Sequence, residues 1–237
     1  MAEIGFDSDR GELSIGATVT HRAIERSPVV REQMPALAAL EAAVANVRVR
    51  AAGTLGGNLC FADPHSDPAT LLTALEARLT LVSASGTREL PIAAFFTGLM
   101  ETARRPEEIL ARITVPRPAT GTGVAYERFK LHERPTAGVA AVVTVSSGVI
   151  ADARIVAGAV GESPQQLAAA EAFLRGQPAD VALATPAADV IRKDVAVLAD
   201  TFESEPYKRQ LVSSLGRKAI AAAIRHATGE EGARRAA

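Results

Sequence analysis

Residues 53–75, GTLGGNLCFADPHSDPATLLTAL, hold the densest group of chemically informative side chains in the sequence. Gly56 and Gly57 lack Cβ atoms, so their backbone N–H groups can approach a charged ligand closely and can adopt positive φ. Thr54 adds a hydroxyl and Asn58 an amide, and successive backbone donors of this kind form an anion-binding nest. No lysine follows as in a Walker loop, and the spacing differs from GxGxxG. By itself the glycine pair therefore fits either a ligand site or an ordinary turn.

Polar residues directly after the glycine pair offer further candidates. Asp67 precedes Pro68, a pattern that predicts a helix N-cap. Its carboxylate could instead accept hydrogen bonds from a ribose or an adenine, and both roles are compatible because a capping carboxylate keeps a second oxygen. His65 and Cys60 are interpreted as bystanders, since a lone histidine in a turn is usually solvated and a lone cysteine usually packs as a small side chain.

Hydrophobic periodicity around this stretch predicts alternating strands and short helices. Ser27-Pro28, Pro35 and Asp67-Pro68 are typical helix starts. Residues 51–67 are predicted to form an irregular glycine-rich segment. The remaining elements predicted here are strands at 11–20, 78–83, 87–90 and 107–116, and a short helix in AAFFTGL (93–99).

The segment PRPATGTG (116–123) contains two prolines and two glycines without apolar periodicity, which indicates a linker. After it, two apolar runs flank Ser146-Ser147-Gly148, and this pattern predicts a β-hairpin that packs one apolar face. Further elements are predicted as a strand at YERFKL (126–131) and helices from Ser163-Pro164 to Gly176, at 186–199 and from Pro206 to about Ala227. We therefore predict two α+β modules with antiparallel strands.

Composition excludes several classes of protein. The 237 residues include 26 Lys and Arg against 27 Asp and Glu, a balance that argues against a nucleic-acid binder, which normally has a basic excess. Cys60 is the only cysteine and there are four histidines, so neither a disulfide within the chain nor a metal site in it is expected. No apolar run approaches the ~20 residues of a membrane span. MAEIGFDSD at the N-terminus is not a signal peptide, and a cytoplasmic location is predicted.

The glycine segment, preceded by NVRVRAA (46–52), resembles the second flavin-binding lobe of the FAD-carrying medium subunit of molybdenum hydroxylases. This family includes xanthine dehydrogenase and aerobic carbon monoxide dehydrogenase. The resemblance extends through ELSIGATVTHRAIERSPVVREQMPALA, ILARITVPRP and YERFKLHERPTAGVAAVV, and so covers nearly the whole chain. It implies an α+β fold, the second lobe of a two-lobed FAD-binding domain at 1–118, followed by a small C-terminal flavoprotein module with antiparallel strands at 121–228 and a flexible tail at 229–237.

The resemblance also implies roles for individual residues. Asp67 would contact the adenosine part of FAD, and Lys130 would lie near the flavin, where a cation stabilises negative charge on the reduced ring. Val44 and Leu110 would be apolar neighbours of the cofactor, although core packing explains both equally well, and Lys130 also fits an ordinary exposed strand lysine. The residues implied to line the FAD pyrophosphate are Thr54, Leu55, Gly56, Gly57 and Asn58. No catalytic residue and no metal ligand is expected in the chain.

One departure from the family bears on cofactor binding. Family members begin with another lobe whose AGG-type loop cradles the other side of the pyrophosphate, and no AGGxS-like motif occurs from Met1 onward. A lone lobe is expected to bind FAD weakly, because it supplies fewer phosphate donors. The other lobe could be a separate polypeptide, the chain could be a truncated product, or it could be a scaffold without flavin.

The resemblance implies an electron-transfer subunit of an oxidoreductase, not catalytic alone, within a hetero-oligomer. A large partner would carry the molybdenum cofactor and a small partner the [2Fe-2S] clusters. FAD in this chain would then pass electrons to NAD, oxygen or a quinone. Two alternatives stay open at this point: a structural subunit without flavin that bridges the same partners, and an unrelated nucleotide-binding module.

Overall fold

The computed structural model describes residues 1–131, 134–199 and 203–230. In it a five-stranded and a four-stranded antiparallel sheet alternate with two groups of helices, in the order sheet, helices, sheet, helices, and a further sheet has two strands. The strands are β1 Ile4–Asp7, β2 Glu12–Gly16, β3 Arg78–Ser83, β4 Gly86–Pro91, β5 Phe96–Gly98, β6 Glu101–Thr102, β7 Ile109–Pro116, β8 Thr122–Phe129, β9 Ala137–Ser146, β10 Val149–Gly158 and β11 Gln165–Gln166. The helices are α1 His21–Arg26, α2 Pro28–Gln33, α3 Pro35–Ala42, α4 Val47–Ala52, α5 Leu55–Phe61, α6 Asp67–Ala74, α7 Ala168–Leu174, α8 Ala184–Asp194 and α9 Glu205–Thr228.

The first sheet has the strand order β1-β2-β7-β3-β4, with every neighbouring pair antiparallel. Alternate residues face the core, because successive side chains of a strand point to opposite faces. The buried row across the three central strands comprises Leu13, Ile15, Leu79, Leu81, Ile113 and Val115. β3 and β7 lie within the segments predicted from periodicity, whereas β1 was not predicted.

The helices of the first module are short, and all of them except α3 have a side-chain N-cap, which matters because isolated helices of this length are marginal. Ser27 accepts from Val30 N, which confirms the predicted start of α2. Ser66, and not Asp67, is the N-cap of α6, because the Ser66 hydroxyl accepts from Ala69 N and Asp67 already has helical position. The predicted cap at Asp67 is therefore wrong by one residue.

Three other predicted elements differ from the structure. The glycine-rich segment 51–67 is not irregular, because it contains the end of α4 and the whole of α5. AAFFTGL forms a single 3-10 turn at Ile92–Ala94 and then β5, which pairs with β6, instead of a helix. Ser163-Pro164 leads into β11, and α7 begins only at Ala168.

The second sheet has the strand order β11-β10-β9-β8. The predicted hairpin joins β9 to β10, and its turn residues Ser147 and Gly148 have φ of 50° and 77°, as a two-residue hairpin turn requires. The prediction that only one face packs is wrong. Ala140 and Val142 belong to the first core, while Ala141 and Val143 point into the second core beneath α7, α8 and α9. The unbroken apolar run of β9 follows from this burial on both sides.

The connection between the two modules is short, since β7 ends at Pro116 and β8 begins at Thr122. Because the second sheet contributes to both cores, the division at 118 and 121 stays a prediction about sequence units. Gly229, with φ of 75°, ends α9 in the left-handed conformation typical of a C-cap. The rest of the predicted tail, residues 231–237, lies outside the described residues. In the described ranges, none of the helices combines the length and the apolar character that crossing a bilayer requires.

Candidate functional site

Thr54 to Asn58 form the first turn of α5, at a corner where the chain leaves α4 through Gly53. The Thr54 hydroxyl caps this turn by accepting from Gly57 N at 3.1 Å. An isolated bridge to Thr20 fixes the backbone of Thr54 against the segment before α1. We call residues 54–58 the α5 corner. Its backbone is thus held by a cap on one side and a bridge on the other.

The two adjacent glycines of the α5 corner have different surroundings. An added Cβ on Gly56 would lie 2.5 Å from Ala17 Cβ, so this glycine is required by packing of α5 against the chain after β2. Gly57 is exposed, and its added Cβ would meet only the Thr54 hydroxyl oxygen, at 2.9 Å. Neither glycine has positive φ. Only Gly57 therefore offers the side-chain-free surface that the sequence predicts for both.

The main-chain N–H groups of Leu55, Gly56, Gly57 and Asn58 in the α5 corner already have partners inside the protein. Leu55 N donates to Val19 O at 3.0 Å, Gly56 N to Ala17 O at 2.9 Å, and Asn58 N to Thr54 O at 2.9 Å. These donors were expected to form an anion-binding nest, and the structure uses them to build the helix and its attachment. The groups left at the surface are the Thr54 hydroxyl, the Cα of Gly57 and the amide nitrogen of Asn58.

Asn58 is oriented by the start of α6. The Ser66 hydroxyl donates to Asn58 Oδ1 at 2.6 Å while accepting from Ala69 N at 3.2 Å. With the carbonyl end of the Asn58 amide held in this way, its NH2 end is left to donate to an acceptor at the surface. Ser66 was not recognised from the sequence, although a serine before an Asp-Pro pair is itself a helix-start signal.

Asp67 is buried, with 5% of its surface exposed, and both of its oxygens have partners on β8. The Tyr126 hydroxyl donates to Oδ1 at 2.5 Å, and Arg128 forms an ion pair with Oδ2. Burial raises the pKa of the Asp67 carboxyl, and the bonds from Tyr126 and Arg128 act in the opposite direction. The contact with adenosine stays a prediction, and the structure assigns Asp67 a second role as a link between α6 and β8.

Arg128 also reaches the end of α3, where its second guanidinium nitrogen donates to Ala43 O. Sequence reasoning missed Tyr126 and Arg128. Tyr126 lies four residues and Arg128 two residues before Lys130, and strand periodicity places Tyr126 and Arg128 on one face of β8. That spacing is the signal that could have found them.

Lys130 follows the last residue of β8 and is exposed. Its positive charge lowers the pKa of Asp67, which places it in the electrostatic neighbourhood of that carboxylate. The chain beyond it is tied back to the loop after α5, since Arg134 pairs with Asp63 at 3.1 Å. His65 Nδ1 donates to the same Asp63 carboxylate at 3.2 Å, and this bond lowers the pKa of Asp63. The chain on both sides of Lys130 is thus tied to residues that follow the α5 corner, through Arg128 to Asp67 and through Arg134 to Asp63.

Val44 and Leu110 lie in the first core, with 9% and 5% of their surfaces exposed. Leu110 pairs with Leu81 across β7 and β3. Both side chains therefore have the core role that the sequence allows, and their proximity to a cofactor stays a prediction. Among the residues that the structure describes, no group of three or more His, Cys, Asp or Glu is placed to hold a metal ion.

Charges of both signs lie next to the α5 corner. The two carboxylates that follow the corner are each paired with a guanidinium, Asp67 with Arg128 and Asp63 with Arg134. Their negative charge is therefore offset where a diphosphate would approach the Thr54 hydroxyl and the Asn58 amide. The exposed Lys130 adds a cation whose charge acts on Asp67.

Comparison with known proteins points to the same class. Residues 3–118 match the FAD binding domain in molybdopterin dehydrogenase, and residues 127–223 match the CO dehydrogenase flavoprotein C-terminal domain. Caffeine dehydrogenase subunit beta of Pseudomonas sp. (strain CBB1) is 30% identical over 214 residues, which cover 89% of this chain and 72% of that protein. Nicotine 6-hydroxylase medium subunit of Paenarthrobacter nicotinovorans is 31% identical, covering 88% and 74%.

A solved structure agrees with these sequence matches. Carbon monoxide dehydrogenase from Hydrogenophaga pseudoflava superimposes with a TM-score of 0.88 at 31% identity, covering 93% of this chain and 77% of that one. Fold and sequence together define a flavoprotein component of an oxidoreductase. The chain belongs to the family of FAD-binding medium subunits of molybdenum hydroxylases, and both the resemblance and the α+β fold class inferred from the sequence are confirmed.

Proposed function

We propose that this chain holds FAD at the α5 corner and passes electrons from iron–sulfur clusters of a partner to an external acceptor. Family membership carries the proposal, and the charge balance around Thr54, Asn58 and Lys130 supports it. When bound, FAD supplies the redox chemistry, and the protein supplies binding, orientation and electrostatics. The roles of this chain's own residues follow from that division.

Thr54, Gly57 and Asn58 form the phosphate-facing part of the proposed site. Thr54 and Asn58 offer a hydroxyl and an amide, and Gly57 permits close approach because it carries no side chain. Leu55 and Gly56 contribute through the backbone position of the corner, since their N–H groups donate to Val19 and Ala17.

In this proposal, the α5 corner supplies only part of the hydrogen-bond donors that the diphosphate needs. Two charged phosphates need more hydrogen bonds than a hydroxyl and one amide provide, and burial without them is costly. We assign this part to a flavin lobe with an AGG-type loop, whether attached to the chain or carried by a separate polypeptide.

The partners in the proposal are a large subunit with the molybdenum cofactor and a small subunit with [2Fe-2S] clusters. Such clusters are held by four cysteine thiolates, and this chain has one cysteine. The names of similar proteins, such as carbon monoxide dehydrogenase medium chain of Afipia carboxidovorans, are those of one component among several. A cytoplasmic location belongs to the same proposal.

The test is the visible spectrum and FAD content of the chain purified together with its co-purifying subunits. We expect flavin absorbance at close to one FAD per chain. A colourless chain in a stable complex would overturn the proposal and favour a bridging subunit without flavin.

An Asn58 substitution tests the location of the site. Asn58→Asp keeps the oxygen that accepts from Ser66 but replaces the amide donor with a carboxylate, so we expect at least about tenfold weaker FAD binding at nearly unchanged thermal stability. Ser66→Ala removes both the cap of α6 and the donor that orients the Asn58 amide, so it should lower the melting temperature and FAD affinity together. FAD affinity unaffected by Asn58→Asp would place the phosphates elsewhere.

A further inference from the structure

The strand β8 reaches across to both segments that border the α5 corner. Arg128 pairs with Asp67 at the start of α6, and it donates to Ala43 O at the end of α3. Tyr126, one position earlier on the same strand face, donates to the other oxygen of Asp67 at 2.5 Å. These contacts join residues that lie 59 to 85 positions apart in the chain.

The segment after α3 depends on guanidinium groups for its carbonyl partners. Ala43 O accepts from Arg128, and Val44 O accepts from Arg50 at 2.9 Å. Ala45 follows with φ of 40°, a left-handed conformation that a residue with a Cβ seldom adopts without support. The chain then continues through α4 to Gly53, so the position of Ala43 sets the entry to the α5 corner.

The pairing of Arg128 with Asp67 also bears on whether the charge of Lys130 has to compensate Asp67. Lys130 lies just beyond the end of β8, two residues after Arg128, and its charge acts on Asp67. With Arg128 in place, Asp67 has a guanidinium partner and both of its oxygens are occupied. Without Arg128, the buried carboxylate would lose its guanidinium partner, and Lys130, whose charge already acts on it, would compensate it instead.

We propose that Arg128 is a positioning residue of the flavin site, which ties Asp67 and Ala43 to β8 and thereby keeps the charge of Lys130 available to the cofactor. This inference rests on the proposed function. Tyr126 supports the same arrangement from the neighbouring position. Arg128 touches no reacting atom in this account, and its effect passes through Asp67, Ala43 and Lys130.

The closing experiment compares Arg128→Met with Arg175→Met in the holo complex. Arg175 makes the same kind of contacts in the second module, since its guanidinium pairs with Asp152 at 2.9 Å and donates to Ala153 O at 2.9 Å. Both variants should lower the melting temperature. Only Arg128→Met should also weaken FAD binding, by about tenfold or more, and make the flavin reduction potential more negative, as loss of a nearby cation does.

Two further variants keep the test usable if Arg128→Met does not fold. Arg128→Lys keeps a charge for Asp67 but cannot donate to Asp67 and Ala43 together in the same geometry, so stability should recover more than FAD affinity. Tyr126→Phe removes one bond to Asp67 and should leave the flavin potential nearly unchanged. In Lys130→Met, a second change of Arg128→Met should no longer shift the potential.

The outcomes separate this inference from the proposed function. A flavin-free wild-type complex would overturn both. A wild type with bound FAD, together with Arg128 variants that lose stability but keep the wild-type affinity and potential, would overturn the positioning role alone. Equal changes in the Arg175→Met control would count against it in the same way.

Discussion

Gly56 lies so close to Ala17 that a Cβ on Gly56 would be 2.5 Å from the Cβ of Ala17 and 2.6 Å from its carbonyl oxygen. Gly56→Ala should therefore destabilise the protein by about 1–3 kcal/mol, because neither the α5 backbone nor the Ala17 backbone can yield freely. Thermal unfolding followed by circular dichroism measures the loss. A melting temperature equal to that of the wild type would show that α5 can move away from this contact.

Gly57→Val places a side chain on the exposed neighbour of Gly56. Its Cβ would lie 2.9 Å from the Thr54 hydroxyl that caps α5, so this hydroxyl must shift, and the melting temperature should fall by less than in Gly56→Ala. FAD content should fall, because the added group occupies the surface that the diphosphate would approach. The ratio of flavin to protein absorbance reports this, and Gly56→Ala is the matched comparison. Wild-type flavin content in Gly57→Val would contradict the placement of the phosphates.

Lys130→Met removes the exposed cation after β8 while keeping a long apolar side chain. We expect FAD to stay bound with a more negative reduction potential, because the reduced flavin would lose a nearby positive charge. Spectroelectrochemical titration measures the shift. Lys218→Met, at an exposed lysine of α9 in the second module, is the control and should leave the potential unchanged. The same potential in both variants would make Lys130 an ordinary surface residue.

Glu108 should make the stability of the fold depend on pH in the acid range. Hydrogen bonds from Arg88 and from the backbone of Arg105 lower the pKa of its carboxyl to about 2. A carboxyl with a lowered pKa stabilises the fold above its unfolded value of about 4.3, and that contribution is lost as the pH falls toward 2. Glu108→Gln should therefore melt below the wild type at pH 6, and the difference should shrink on acidification.

The neighbouring Glu107 provides the control for that series. It is exposed, so Glu107→Gln should melt like the wild type at every pH. A constant difference between wild type and Glu108→Gln from pH 6 to pH 2 would mean that the Arg88 pair contributes packing and not charge.

Glu41 should show the opposite pH dependence. It is fully buried against His21, with 2.6 Å between Glu41 Oε2 and His21 Nδ1, and burial raises the pKa of its carboxyl. Among the described residues its other oxygen has no hydrogen-bond partner. A raised pKa gives a stabilising contribution that is present below about 4.3 and is lost as the pH rises through the folded value.

Glu41→Gln should thus gain stability relative to the wild type as the pH is raised from about 4.3 to 7. Urea unfolding at several pH values measures the free energy of unfolding for both proteins. Glu32→Gln, at an exposed position of α2, should run parallel to the wild type. If the free energy of unfolding of the wild type instead rose relative to that of Glu41→Gln as the pH is raised, the fold would favour the carboxylate over the protonated carboxyl.

Local patterns predicted much of the fold. Alternation placed β3 at residues 78–83 as observed, and the Ser27-Pro28 pair marked α2 correctly. The Ser-Gly pair at 147 and 148 predicted the hairpin turn, because this turn needs positive φ at two successive residues and few residue types adopt positive φ. These features depend on neighbours within a few residues, so sequence alone carries their signal.

Other features depend on partners far along the chain. The first turn of α5 contains two glycines, which favour a loop, but Thr54 caps it as a helix. Gly56 is needed there because a Cβ would collide with Ala17, which lies far from it in the sequence. Asp67 was assigned a local role as a cap, whereas its partners are Tyr126 and Arg128 on the other module. The burial of β9 on both faces likewise follows from packing between modules.

That two-sided burial has a consequence for dissecting the molecule. Cleavage of the chain between Pro116 and Thr122 would leave the amino-terminal fragment without Ala140 and Val142, and the carboxy-terminal fragment with those residues facing water. Each fragment would expose an apolar surface that is buried in the intact protein, and such surfaces promote aggregation. Two family models divide this sequence, but residues 3–118 and 127–223 should be expressed or exchanged together and not as separate fragments.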